Sequence, residues 1–338
     1  MQPRTTIVAG AGHYLPERVV TSEEVEQMVR SRNGNRIPKG IIHRMTGIKR
    51  RRYSTNEEQA SDLAVAAARR AMKRSGVSPA DIDMLVFAAC SQDVIEPATA
   101  NIVQNKLGLD GCAALDVKNA CNSAMTAIDL VDSAIRCGKI NCALICTGEK
   151  LVDGIDFNLD TDGALALGFA GLTLGDAGSA LVLKACDEPG RGIRHSVFRS
   201  YGGAWDLATI MAGGSLHGLS GDHAFFRSRS PELLRLALEH TPKAVIECLK
   251  RTGWAPEAID LICGHQVSME AVEKLTRTVG LDQDKAVVCL GECGNTAAAS
   301  IPLSISMAME SGRLEEGMNV LLVGAAAGLS VGIISMVW

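Results

Sequence analysis

An internal duplication constrains the fold more than any other feature of this chain. Lys73-Arg74-Ser75-Gly76-Val77-Ser78-Pro79-Ala80-Asp81-Ile82-Asp83 matches Lys250-Arg251-Thr252-Gly253-Trp254-Ala255-Pro256-Glu257-Ala258-Ile259-Asp260 at a constant offset. Further on, Cys121, a helical stretch, Gly138-Lys139 and the apolar run Cys142 to Thr147 parallel Asn295, a helical stretch, Gly312-Arg313 and the run Asn319 to Val323. The steps from Cys121 to Gly138 and from Asn295 to Gly312 are equal. A repeated αβ unit predicts two similar α/β halves, each with a sheet covered by helices, and chemistry where the halves meet. The turns carrying Cys121 and Asn295 are then expected to be related by a pseudo-twofold axis.

The first of those turns lies in Asp116-Val117-Lys118-Asn119-Ala120-Cys121-Asn122-Ser123. Ala113-Ala114-Leu115 reads as a strand end, and Ala124 to Ile135 has helical apolar spacing, so Cys121 falls at a strand-to-helix turn. Free N–H groups and the positive end of the helix dipole lower a thiol pKa there and can hold an oxyanion. A small buried cysteine is the bland alternative, and it fits most of the eleven cysteines, which include no C-x-x-C pair. Disulfides, a metal site and a bound cofactor are not expected.

With 47% hydrophobic residues in 338, a large core is affordable. The net charge of -4 gives no support for nucleic-acid binding, and Arg50-Arg51-Arg52 reads as a solvated patch or loop. No apolar run reaches about eighteen residues, and Met1 to Thr6 leads into the strand-like Ile7-Val8-Ala9 without a signal-peptide pattern. A soluble cytoplasmic protein without membrane contact is expected.

In order, residues 5–12 read as a strand, Pro16 to Arg32 as a loop and a helix opened by Thr21-Ser22-Glu23-Glu24, 33–56 as irregular surface, and Ala60 to Ser75 as a helix stopped by Gly76. Residues 151–230 break the repeat. Gly154 to Ala170 and the Gly-rich Gly202 to Asp222, with Met211, Leu216 and Leu219, are read as a wall of the site and a subunit contact. Ala180 to Leu183 is a core strand behind Gly175-Asp176-Ala177-Gly178-Ser179. The halves are placed at 1–185, with the insertion from about 151, and 186–338.

His265, in Cys263-Gly264-His265-Gln266-Val267-Ser268, and Asn295, after Val287 to Gly294, both follow strand exits. Taken singly, one is a hydrogen-bonded structural histidine and the other a turn residue. Together with Cys121 they point to a covalent thioester enzyme, the thiolate taking an acyl group while His and Asn hold the oxygen of a second thioester as its enolate forms.

With these motifs, and with Leu174-Gly175-Asp176-Ala177-Gly178-Ser179, Gly294-Asn295-Thr296-Ala297-Ala298-Ala299-Ser300 and Gly324-Ala325-Ala326-Ala327-Gly328-Leu329, the chain resembles the thiolase-fold ketoacyl synthase III enzymes over nearly its whole length. The resemblance implies a five-layered αβαβα fold, a homodimer, an acylated Cys121 completed by His265 and Asn295, and an oxyanion hole of the Cys121 and Ala327 N–H groups. It also implies acyl or β-ketoacyl thioesters of coenzyme A or acyl carrier protein as substrates.

Within that family, Ser91-Gln92-Asp93-Val94-Ile95-Glu96-Pro97 and the terminal Met336-Val337-Trp338 resemble the head-to-head condensing enzymes of olefin and α-pyrone pathways. There the matching glutamate enters the partner's site and removes an α-proton. The alternative makes Glu96 a carboxylate ahead of a helix starting at Pro97. A malonyl donor makes its enolate by losing carbon dioxide, whereas a simple acyl thioester needs a base. Three departures from the fatty-acid-initiating relatives agree: Ile41 and Met45 replace the adenine-stacking Trp and Arg, Glu270 replaces a docking Arg, and Ala325 replaces a bulky aromatic. The resulting expectation is a ketosynthase joining two chains without decarboxylation to a β-keto product or α-pyrone; the alternative is a decarboxylating ketoacyl synthase III. A scaffold subunit would lack the nucleophile, a degradative thiolase would carry a second cysteine near Gly324 to Gly328, and a hydroxymethylglutaryl-type synthase fits the length and motifs less well.

Overall fold

The computed structural model describes residues 4–29, 37–218 and 221–338. Met1 to Pro3, Arg30 to Arg36, Leu219 and Ser220 lie outside the described residues, and with them the end of the expected first helix. One sheet has the strand order Thr5–Tyr14, Ala177–Cys186, Cys142–Glu149, Met84–Ala88, Ala113–Val117. The other runs Gly192–Ala204, Gly328–Val337, Asn319–Ala326, Leu261–Gly264. In each, the first two junctions are antiparallel and the third is parallel. The first sheet adds a parallel fifth strand, which the second reduces to the single bridge Ile262–Ala286.

Five layers follow from where the apolar faces go. The helices Ser123–Arg136 and Ser300–Glu310 are sandwiched between the sheets, sharing one core in which Met125, Ile128, Leu303 and Ile305 meet Ile145 and Leu181 of one sheet and Leu322 and Ile334 of the other. Ala60–Ser75 and Thr99–Leu107 cover the outer face of the first sheet. Ser230–Thr252 and Met269–Thr278 cover that of the second. The two similar α/β halves are those the duplication predicts, and the five layers are those the family resemblance implies.

Local chemistry sets the repeated boundaries. Gln59 and Asp62 cap Ala60–Ser75 reciprocally, and Gly76 ends it in the left-handed region, as Gly253 ends its counterpart. After the Pro79 and Pro256 turns, the carboxylate of Asp83 accepts from the N–H groups of Asn141 and Cys142, and that of Asp260 from Asn319 N–H.

The register of the duplication differs from the expected one. The offset relating Asp83 to Asp260 also relates Cys142 to Asn319, Ser123 to Ser300 and Ala120 to Ala297, and it carries Cys121 to Ala298, three residues past Asn295. Ala120 and Ala297 are the only non-glycine residues at positive φ among those described, at 48° and 45°. The Cys121–Asn295 pairing came from Gly138 and Gly312, which cap helices of 14 and 11 residues. The second helix is nearly a turn shorter, and the difference is made up before the next strand.

Two other expectations are corrected. The described part of 33–56 holds a helix, Ile41–Thr46, and a strand, Arg50–Tyr53, paired with Arg18–Thr21. Arg51 is fully buried rather than solvated, donating to Ser22 Oγ and the Leu172 carbonyl, both at 3.1 Å. Strand alternation turns the middle arginine inward. All eleven cysteines are free. Among the described residues no helix is long and apolar enough to cross a membrane.

The alanine-rich helix Ala60–Ser75 lies against its sheet at glycines. A methyl on Gly178 would collide with the Leu63 carbonyl, and one on Gly148 with that of Ala60. Neither backbone can yield without lifting the helix off the strands. Gly178→Ala is therefore expected to destabilise the fold by about 1–3 kcal/mol or more, read as a lower midpoint in denaturant; an unchanged midpoint would mean that the helix is free to slide.

Candidate active site

Cys121 occupies the turn between the strand Ala113–Val117 and the helix Ser123–Arg136, half-buried. Ser123 folds the turn: its Oγ donates to the Ala120 carbonyl at 2.7 Å and accepts from Asn119 N–H at 2.8 Å. Asn119 and Asn122 reach across to Ser330, with Asn122 Nδ2 donating to its carbonyl at 3.0 Å. That tie fixes the Cys121 turn to the start of the last strand, Gly328–Val337.

The second turn repeats this design with one change. Ser300 Oγ donates to the Ala297 carbonyl at 2.7 Å, as Ser123 does to Ala120. Its remaining acceptor site faces His265 Nδ1 at 3.0 Å. Since the Ser300 proton is committed to the carbonyl, Nδ1 carries the imidazole proton and Nε2 is left toward Cys121. His265 is set by the end of the strand Leu261–Gly264, its N–H donating to the Val323 carbonyl at 2.9 Å. Asn295, 8% exposed, is held by backbone bonds to Thr173 and Gly175, and its Oδ1 accepts from Ala297 N–H at 3.0 Å.

The titration of these groups follows from contact. The Cys90 thiol, donating to Cys121, holds the Cys121 thiol well below the ordinary range; burial opposes this, and the adjacent His265 reinforces it. Burial alone would lower the pKa of His265, but the Cys121 thiolate beside it raises it. The Cys90 thiol is pushed up, first by its bond to Cys121 and then by burial. The arrangement favours a thiolate–imidazolium pair poised for nucleophilic attack.

The structure thus sets Cys121 and His265 close enough to shift each other's titration, and it places Asn295 in the adjoining turn, after the short helix Leu290–Cys293 and not at the expected strand exit. Apolar residues of the insertion, among them Leu151, Ile155, Phe157 and Leu172, form a cluster against which Cys121 and Cys90 pack. Two cavities there, of about 450 and 550 Å³, are lined by neither Cys121 nor His265. Glu96 lies apart on an exposed stretch with Val94 and Ile95, 44% and 61% exposed. The helix it precedes starts at Thr99 rather than Pro97. Its first N–H groups, of Thr99 and Ala100, are capped by the Asp116 carboxylate at 2.8 Å each. The cap that Glu96 was a candidate for is therefore held by another residue.

Sequence reasoning passed over Cys90, Glu149, Ser300 and the capping role of Asp116. Ser300 was in a quoted motif with no role. The legible signal for Glu149 was a carboxylate closing the apolar run Cys142 to Gly148.

With sheets and turns in place, the molecule has a thiolase-like fold. The model for 3-oxoacyl-[acyl-carrier-protein] synthase III matches residues 115–202, that for its C-terminal region 249–338, and that for the N-terminal domain of thiolase 41–158. The chain is similar to 3-oxoacyl-[acyl-carrier-protein] synthase III from Aquifex aeolicus VF5, at 27% identity over 98% of this chain and 100% of that one, with a TM-score of 0.87. It is also similar to cerulenin-bound OleA of Xanthomonas campestris, at 28% identity over 99% of this chain and 97% of that one, with a TM-score of 0.89. The chain belongs to the ketoacyl synthase III family, and it is an acyl-condensing transferase.

The lowered pKa of Cys121 gives a pH prediction with a definite sign. Iodoacetamide labelling of the Cys121 peptide is expected to persist below the ordinary thiol pKa of about 8.5. In His265→Ala, which removes the imidazolium, its midpoint is expected to move up; peptide mass spectrometry against pH checks both.

Proposed function

We propose that the protein joins two acyl or β-ketoacyl thioester chains without decarboxylation, yielding a β-keto product or an α-pyrone. The observation carrying this reading is the placement of Glu96: exposed, flanked by exposed apolar residues, and freed from helix capping by Asp116. On this reading the enzyme is a cytoplasmic homodimer in which Glu96 serves the partner's site.

The Cys121 thiolate attacks the first thioester and its carrier thiol leaves. The tetrahedral oxyanion is held by the N–H groups of Cys121 and Ala327. Glu96 from the partner then takes an α-proton from the second thioester, and His265 and Asn295 hydrogen-bond the enolate oxygen. The enolate carbon attacks the acyl-Cys121 carbonyl, and collapse returns the Cys121 thiolate as the carbon–carbon bond forms. Lying among apolar chains, the Glu96 carboxylate would become a stronger base. Two further observations support the reading. Solved variants of the Xanthomonas OleA replace a glutamate, a cysteine and a histidine. Met45, at a family adenine-stacking position, is 55% exposed here. The similarity to the Aquifex synthase III favours the second reading, extension of an acyl chain with malonyl carrier protein.

Incubation with a long-chain acyl or β-ketoacyl thioester, with and without a malonyl donor, separates the two. A product containing both chains without malonyl is expected; one formed only with malonyl, two carbons longer and with carbon dioxide released, overturns the proposal. Cys121→Ala is expected to abolish acylation. Glu96→Gln should still acylate but condense about 10²- to 10⁴-fold more slowly. Mixing the two variants under conditions that exchange subunits should restore turnover, because the Cys121→Ala subunit supplies the missing glutamate; no restoration would place Glu96 outside the partner's site.

A further inference from the structure

Glu149 closes the strand Cys142–Glu149 and is fully buried. Four hydrogen bonds converge on its carboxyl group. Oε1 accepts from Cys90 N–H at 2.8 Å and Ala298 N–H at 3.2 Å, and Oε2 accepts from Ser91 N–H at 3.0 Å and Ser91 Oγ at 2.9 Å. Three of the four are fixed backbone donors, which favour the ionised form, and only the Ser91 hydroxyl could turn to accept from a protonated one. Burial nevertheless pushes the pKa up to about 7. An ionised carboxyl in such a place is costly, and its survival calls for a reason.

The fold does not supply one. The repeat offset carries Glu149 to Ala326, which ends the matching strand of the second sheet buried and without a carboxylate. What distinguishes the first half is the company of Glu149. Cys90 packs against the same apolar cluster as Cys121, and Ala298 lies two residues before Ser300, which holds the His265 imidazole. Ser123 Oγ, beside the nucleophile, lies 3.5 Å from the Ala89 carbonyl, so the Cys90 strand exit is also laid against the Cys121 turn.

We propose that Glu149 is a positioning residue for the chemistry at Cys121, a buried carboxylate that holds Cys90 as hydrogen-bond donor to the nucleophile and pins the Ala298 turn that orients His265. The inference rests on Cys121 being the nucleophile. The titratable groups facing Glu149 are Cys90, Cys121 and His265. Lys150 turns away, its Nζ donating to the carbonyls of Thr55 and Glu58, and Asp176 is engaged with Ser54, Leu151 and Val152.

The test exploits two effects of opposite sign. As a bystander negative charge, Glu149 disfavours the thiolate, so Glu149→Gln would move the Cys121 labelling midpoint down. As the holder of Cys90 and of the His265 turn it favours the thiolate, and the same change, which sets an amide NH₂ against donors, moves the midpoint up. Labelling of the Cys121 peptide by iodoacetamide is followed against pH in the wild type, Glu149→Gln and Cys90→Ala, with melting temperatures alongside. A rise of about one unit in both variants is expected, a tenfold loss of thiolate below the midpoint. A fall in Glu149→Gln, or an unchanged midpoint with only a lower melting temperature, overturns the proposal. Should Glu149→Gln not fold, an unchanged midpoint in Cys90→Ala overturns it alone. Failure of the underlying reading is separately visible, as a wild-type Cys121 peptide that takes no acyl group from a thioester.

Discussion

Everything in the candidate site depends on two turns that hold an alanine in left-handed backbone, Ala120 and Ala297. Residues with a Cβ are uncommon there, and each such placement costs on the order of 1–3 kcal/mol unless its surroundings enforce it. Both turns meet that cost with a serine three residues on, which closes onto the alanine carbonyl and starts the central helix. The kink separates each incoming segment from the helix that follows it. In one half the residue after the alanine is Cys121; in the other it is Ala298, whose N–H is taken by Glu149. A symmetric frame thus carries asymmetric chemistry.

The asymmetry is built from small diversions of paired positions. Ser123 spends its acceptor on Asn119 N–H of its own turn, while Ser300 spends its acceptor on His265. The strand ending in Glu149 has a counterpart ending in Ala326. Each change leaves the backbone bonds of the turn intact, so the fold tolerates it, and together they set the His265 imidazole and the buried Glu149 carboxylate on segments that flank the Cys121 turn. The low polarity of the surroundings strengthens each of these contacts and penalises any group left unpaired.

The architecture was legible because it is repeated. A chance resemblance between Lys73–Asp83 and Lys250–Asp260 could not also reproduce the Pro turns, the carboxylates capping the next strands and the glycine stops, all of which are local chemistry written in consecutive residues. Of the three candidate site residues, Cys121 and His265 do follow strands, whereas Asn295 follows the short helix Leu290–Cys293 and not the strand exit expected of it. The register at Asn295 was not legible, because two helices of unequal length shift the glycines that the eye aligns. Buried Arg51 was misread because three consecutive arginines look solvated until strand alternation turns the middle one inward. Contacts made between distant segments, Ser300 with His265 or Glu149 with Ala298, leave no trace in spacing at all.

The surface beside Glu96 carries the last step. Among the described residues, the strand Ala113–Val117 pairs on one side only, with Met84–Ala88, and leaves its other edge free with Leu115 37% exposed. A free edge strand with an apolar side chain invites pairing with another chain. Val94 and Ile95 sit on the loop that leads into the helix capped by Asp116, a residue of that same strand, so both apolar features are tied to one edge. A solitary chain gains nothing from exposing them. On the proposed reading, a second copy laid along this edge buries them and carries Glu96 toward the other subunit's site, which gives a use to a carboxylate that caps no helix.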